Sequence, residues 1–153
     1  MNEEIVSAFK DAVFNVVPML GINDVKFIGE ENHNKQIESS GVICIIGIIG
    51  DLTGNVFLSM EEECAKKIAS YMMFGMEVVE FDELAQSAIS ELSNMLAANA
   101  SISLSEKGKR TDISTPTLMT GEFTVISSLP DVISLSMKIE DMPFNVYLSI
   151  KEK

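Results

Sequence analysis

VICIIGIIGDLTGNVFLSM, from Val42 to Met60, holds a β-branched run, a turn and an alternating run in nineteen residues. Val42 to Ile49 is the natural core of a buried strand, and Asp51-Leu52-Thr53-Gly54 turns the chain. In Asn55 to Met60, Val56 and Leu58 alternate with Asn55, Phe57 and Ser59, so the whole stretch predicts a hairpin. Ninety residues later VISLSMKIEDMPFNVYLSI, Val132 to Ile150, aligns with it without a gap. Eight of the nineteen positions are identical: Val42/Val132, Ile43/Ile133, Ile49/Ile139, Asp51/Asp141, Asn55/Asn145, Val56/Val146, Leu58/Leu148 and Ser59/Ser149. Chance matching of apolar residues does not also align Asp, Asn and Ser, so the chain carries an internal repeat.

Working outward, each copy is preceded by a helical pattern. From Glu4 to Met19, Ile5, Ala8, Phe9, Ala12, Val13, Val16 and Val17 recur at helical spacing, with Pro18 and Gly21 as the stop. Asp82 to about Glu106 reads as the longest helix, with Asp82 as N-cap and Gly108 beyond its end. A third helix, about Glu61 to Phe74, joins the halves. Gly29 to Lys35 reads as a polar loop between short extended segments, and Glu122 to Ser127 as a further strand. The fold class is therefore α+β: one internally duplicated, pseudo-twofold domain over residues 1–153, with half-repeats of about 1–60 and 82–153 joined by a helix at 61–75. A mostly antiparallel sheet with helices packed on one face satisfies that order, while the order of the strands stays open.

Composition removes several function classes. With 23 acids against 11 bases, a net charge of −12 and no basic patch interleaved with aromatics, nucleic acid is not a partner. The start Met1-Asn2-Glu3-Glu4 is acidic where a secretory signal is basic, and no apolar run reaches the roughly 18 residues of a membrane span. A cytoplasmic protein is expected, with Cys44 and Cys64 as reduced structural thiols. One His excludes a His-based metal site, and His33 between two Asn reads as a solvated loop residue. No nucleophile elbow, dinucleotide fingerprint, P-loop or EF-hand loop is present. Lys107-Gly108-Lys109-Arg110 follows a helix instead of opening one, which makes it a C-terminal cap and not a phosphate cradle. The ten Met residues, including Met72, Met73 and Met76, read as core filling.

One constellation remains. On the longest helix Ser87, Glu91 and Asn94 stand at i, i+4 and i+7 and share a stripe, while Ala85, Ile89, Leu92 and Leu96 form the opposite, core-facing stripe. The polar trio lies among Leu84, Ala97 and Ala98 instead of among Lys and Glu, so this helix face admits the close approach of a partner. An ordinary solvated face is the plain alternative.

Asp82-Glu83-Leu84 leading into Ser87-x3-Glu91-x2-Asn94, with Thr115-Pro116-Thr117 some twenty residues later, resembles the CheX branch of the CheC/CheX/FliY chemotaxis phosphatase family over nearly the whole chain. The resemblance implies a duplicated fold of helices on an antiparallel sheet and an activity that dephosphorylates the response regulator CheY. It implies Glu91 and Asn94 as the catalytic pair, with Ser87 where the family has Asp or Ser, and a homodimer. Leu84, Ser87 and Ala98 are the candidate partner-binding residues. The CheC branch has a second site, and the first helix fails to supply it: Ser7 and Asp11 keep the spacing, but Phe14 stands three residues on and Asn15 is one step off the stripe. A single site is expected.

The chemistry suits such an assignment. Hydrolysis of an aspartyl phosphate needs a water in line with the acyl phosphate bond and cations on the phosphoryl oxygens. The receiver would bring its own Mg2+, so this chain needs no cofactor or metal, only an amide to fix the water and a carboxylate to dock. Asn94 suits the first role, and Glu91, paired with a receiver Lys, the second. A non-catalytic adaptor for a receiver or a flagellar switch protein would use the same face, and a small-ligand sensor in the cleft between the halves is a weaker third reading.

Overall fold

The computed structural model describes residues 3–153. Met1 and Asn2, half of the acidic start used above, lie outside the described residues. The first helix α1 (Glu3–Val16) buries Ile5, Ala8, Phe9, Ala12, Val13 and Val16 at the expected spacing. It tightens into a 3-10 turn over Val17–Leu20 and stops at Gly21, whose φ of 96° is left-handed and whose N–H bonds to the Pro18 carbonyl. The strands are β1 (Val25–His33), β2 (Gln36–Glu38), β3 (Gly41–Gly50), β4 (Leu52–Met60), β5 (Thr111–Ile113), β6 (Thr117–Gly121), β7 (Thr124–Ile126), β8 (Val132–Ile139) and β9 (Met142–Glu152). Helices α2 (Glu62–Met72) and α3 (Glu83–Glu106) separate the halves. Asp82 caps α3 through a side-chain bond from the Ala85 N–H, and Gly108, at φ 86°, follows its end, with the Lys109 N–H bonded to the Leu104 carbonyl.

Two expectations need correction. Gly29 to His33 is not a loop but the end of β1, which pairs with β8 from Val25↔Ile139 to His33↔Val132. As an outermost strand its free edge needs no apolar alternation, so Glu30, Glu31 and Asn32 are exposed and mask the strand in the sequence. Of Glu122 to Ser127 only Thr124–Ile126 is strand. It pairs with β2 in a two-stranded ribbon of its own.

The main sheet runs β1-β8-β9-β4-β3-β5, with β6 also on β3. All its pairings are antiparallel. The β8–β9 hairpin receives β1 from the first half of the chain, the β3–β4 hairpin receives β5 and β6 from the second, and β2 pairs with β7. At the centre β4 and β9 face each other with Phe57 opposite Tyr147, Asn55 opposite Ser149 and Ser59 opposite Asn145. Since 57 and 147 are the same position of the aligned stretches, exchanging the halves maps this pairing onto itself.

The gap-free alignment holds for β4 and β9 and slips by one residue in β3 and β8. Leu58 faces Cys44, whereas its aligned mate Leu148 faces Ile133, not Ser134. A one-residue slip swaps the faces of a strand. Val42 accordingly packs under the helices, while Val132 packs on the opposite side of the sheet with Ile43, so the Val42/Val132 and Ile43/Ile133 identities are not spatial equivalents. The extra residue is absorbed at the turn: β8 and β9 close through Glu140 and Asp141, both at positive φ, between Ile139 and Met142.

Helices α1, α2 and α3 share one face of the sheet and one apolar core, in which Ile5, Phe9, Ile89, Leu92 and Leu104 meet Val42, Cys44, Ile46, Leu135, Val146 and Leu148. Each such side chain contributes about 1.5–3 kcal/mol on burial. The other face carries a smaller cluster of Ile37, Ile43, Phe57 and Val132, roofed by Phe123 and Val125 beside the β2–β7 ribbon. Among the described residues no helix is long and apolar enough to cross a membrane.

Candidate functional site

Helix α3 is held along its length by Ala85, Ile89, Leu92, Leu96, Ala100 and Leu104, all buried, so its opposite stripe is presented on rigid backbone. Gln86 ties the helix start back to the chain before it, its side-chain amide donating to the Phe81 carbonyl at 2.9 Å. Beside this stripe the segment leading into β6 forms a second wall, and between them lies an open groove of about 660 Å3. Ser87, Glu91 and Asn94 all line it, facing Thr115, Pro116 and Leu118 across the gap. Ser87 and Glu91 are exposed and Asn94 is half-buried, so the amide sits deeper than the carboxylate.

Beneath the groove, β3 pairs Cys44 with Leu118, which places the thiol behind α3. Burial pushes the Cys44 thiol up, against the smaller opposing pull of the Ser93 and Ser90 hydroxyls. Cys64, in α2, is pushed up to about 12 by burial, with Glu61 and Glu140 adding to the rise. Neither sulfur is a thiolate near neutral pH, so neither supplies a nucleophile. The groove therefore offers hydroxyls, an amide and carboxylates, with Glu83 at its rim: groups that orient a water or pair with a cation.

Some sequence expectations change here. Ala97 is 2% exposed and belongs to the core, because the buried stripe of a helix this deep widens to take in the position beside Leu96. Ala98 is half-buried one turn beyond Asn94 and Leu84 is exposed one turn before Ser87, so neither is a groove wall. Leu84 instead lines an adjoining hollow with Asp82, Glu83 and Ser87. Ser90 and Gln86 line the groove and were not singled out from the sequence, although their spacing to Ser87 and Asn94 was the available signal. His33 is no solvated loop residue: it ends β1, with Nε2 3.0 Å from the Gln36 carbonyl and its ring 5.0 Å from that of Tyr147. Of the methionines, Met60 and Met137 are buried as core filling, while Met19 and Met76 stand exposed.

An antiparallel sheet, helices on one face and an open polar groove along the longest helix define an α+β protein that presents a rigid side-chain stripe at its surface. Its sequence matches the family model of the chemotaxis phosphatase CheX over residues 42–139. It is 34% identical to the CheY-P phosphatase CheX of Thermotoga maritima over 154 residues, covering 99% of this chain and 98% of the relative. The chain belongs to the CheX family. In fold it is similar to a CheC-like superfamily protein from Shewanella sp. PV-4, with a TM-score of 0.88 at 22% identity over 99% of both chains. It is also similar to CheX in the CheX-CheY-BeF3-Mg+2 complex from Borrelia burgdorferi, with a TM-score of 0.76 at 21% identity over 98% of this chain and 97% of that one.

Proposed function

We propose that this chain hydrolyses the aspartyl phosphate of a CheY-type response regulator, with Asn94 positioning the attacking water and Glu91 docking the receiver. The observation that carries the reading is that Asn94 and Glu91 line one groove on a helix whose other side is locked in the core, in a chain of the CheX family. The half-buried amide accepts from and donates to a water, and the more exposed carboxylate reaches the partner's cation first. The water oxygen bonds to phosphorus as the acyl P–O bond breaks, returning the receiver's carboxylate and releasing inorganic phosphate, which takes up the water's protons. A Mg2+ held by the receiver would offset the charge of the phosphoryl oxygens. Catalysis is then by position: α3 holds the amide in place, and no side chain of this chain needs a shifted pKa.

The protein acts in the cytoplasm, where its receiver resides, and as a homodimer. The mirrored strand pairing supports an origin of its two halves as copies of one unit. Following the decay of receiver phosphorylated with acetyl phosphate, with and without the chain, tests the function. Acceleration is expected. An unchanged or slowed decay with retained binding makes the chain an adaptor instead.

A further inference from the structure

Between α2 and α3 the chain crosses residues 73–82 and, together with the first turn of α3, displays apolar side chains to solvent. Phe74 is 100% exposed, Val79 70%, Leu84 62% and Met76 61%. This is no loose tether. The Ser70 hydroxyl donates to the Met76 carbonyl at 2.7 Å, the Gly75 N–H to the Ser70 carbonyl at 2.8 Å, and the Phe74 N–H to the Tyr71 carbonyl. Phe74 itself sits at a φ of 59°, a left-handed conformation that a bulky residue adopts at a cost. A hydrogen-bonded turn thus holds Phe74 on strained backbone with its ring in water, where folding gains nothing from it.

From Met76 to Leu84 the patch is continuous with the groove, and Phe74 stands two residues before Met76 in the same hydrogen-bonded turn. Met76, Val79 and Leu84 line one hollow, Leu84 and Ser87 line the next, and Ser87 belongs to the groove that holds Glu91 and Asn94. Its charge is of one sign: residues 68–106 contain no Lys or Arg, while Glu77, Glu80, Asp82 and Glu83 surround the apolar side chains. A complementary partner surface has an apolar spot ringed by basic side chains.

We infer that Phe74, Met76, Val79 and Leu84 form the second half of the receiver-docking surface, taking an apolar, base-ringed spot beside the receiver's phosphorylation site while α3 enters the site itself. This rests on the function proposed above. Docking through the patch contributes to affinity and leaves the hydrolytic step alone, so the patch and Asn94 separate in kinetics.

The test takes Phe74→Asn, whose amide residue tolerates left-handed backbone, and Val79→Asp, both at exposed positions. Decay of acetyl-phosphate-labelled CheY-type receivers is measured over a range of receiver concentration, using the receiver that the unaltered chain accelerates most. Each variant is expected to raise KM about 5–10-fold with kcat within twofold of the unaltered chain, and to keep its thermal midpoint. Unchanged KM in both variants beside an active unaltered chain overturns this inference alone. Unchanged KM with a loss of self-association in sedimentation also overturns it and assigns the patch to a second copy of this chain. No acceleration by the unaltered chain on any receiver overturns the function and this inference together.

Discussion

Helices α1 and α3 bury their apolar residues at the same spacing, and the comparison isolates what opens a groove. Ile5, Phe9, Ala12, Val13 and Val16 are buried on α1, and eighty residues on Ala85, Ile89, Leu92, Ser93 and Leu96 are buried on α3. On the outward stripe Ser7 and Asp11 match Ser87 and Glu91, but Phe14, 37% exposed, takes the place of Asn94. Lys10, the counterpart of the groove residue Ser90, folds down with its ammonium 4.1 Å from the centre of the Phe27 ring. Asn15, one step off the stripe, donates to Asn99 at 3.2 Å and serves to join the two helices. The same packing problem is solved twice, and a groove stays open only where small polar residues replace Phe and Lys.

Breaking the symmetry of the hairpins should give the largest effect. Gly54, at φ 147°, aligns with the buried Phe144, yet a Cβ on it would lie 1.9 Å from the Ser149 carbonyl oxygen across the β4–β9 centre. Gly54→Ala is expected to cost about 3 kcal/mol or more in a denaturant titration, because the colliding atom is backbone and cannot swing aside. A loss below about 1 kcal/mol would show that the central pair can spread. Next in size, Asn94→Ala should lower kcat for receiver-phosphate hydrolysis by about 100-fold with binding retained. Glu91→Ala should weaken both, with about a tenfold rise in KM, worth about 1.4 kcal/mol. A fully active Asn94→Ala protein refutes the assignment of the amide.

A smaller effect tests α2, which has no counterpart in the symmetric pairing. The Cys64 thiol ionises near 9 when unfolded and only near 12 when folded, so its contribution to stability is complete below pH 9 and is lost as pH rises from 9 to 12. Thermal melts across that window should show a loss on the order of 1 kcal/mol per pH unit from this group, which Cys64→Ala removes. Equal slopes for the two proteins would contradict the burial of that sulfur. The smallest expected change is that of Asp11→Ala: the α1 stripe lacks its amide, so hydrolysis should stay within about twofold of the unaltered chain. A drop approaching that of Glu91→Ala would mean that α1 takes part in docking.

Much of this was legible in the chain. The α1 and α3 spacings, the Asp82 cap and both hairpins are local, because propensity, turn residues and burial agree there. The stripe Ser87, Glu91, Asn94 was legible for the same reason, since helical geometry alone puts these residues on one side. Thr115-Pro116-Thr117, which opens the second groove wall, could be quoted but not placed, because its position depends on β6 pairing with a strand some seventy residues earlier. The Gly29–His33 end of β1 is not legible locally because its outward residues answer to an edge, a property of neighbours absent from the local sequence.

Periodicity and caps settled the helices and the two hairpins, since those choices depend on contacts within a few residues. Which half lends its first strand to which hairpin, the one-residue slip between β3 and β8, and the opening of a groove on α3 but not on α1 were settled by packing between distant segments. Such pairings are free energies of the assembled sheet and core, and no single stretch of chain encodes them.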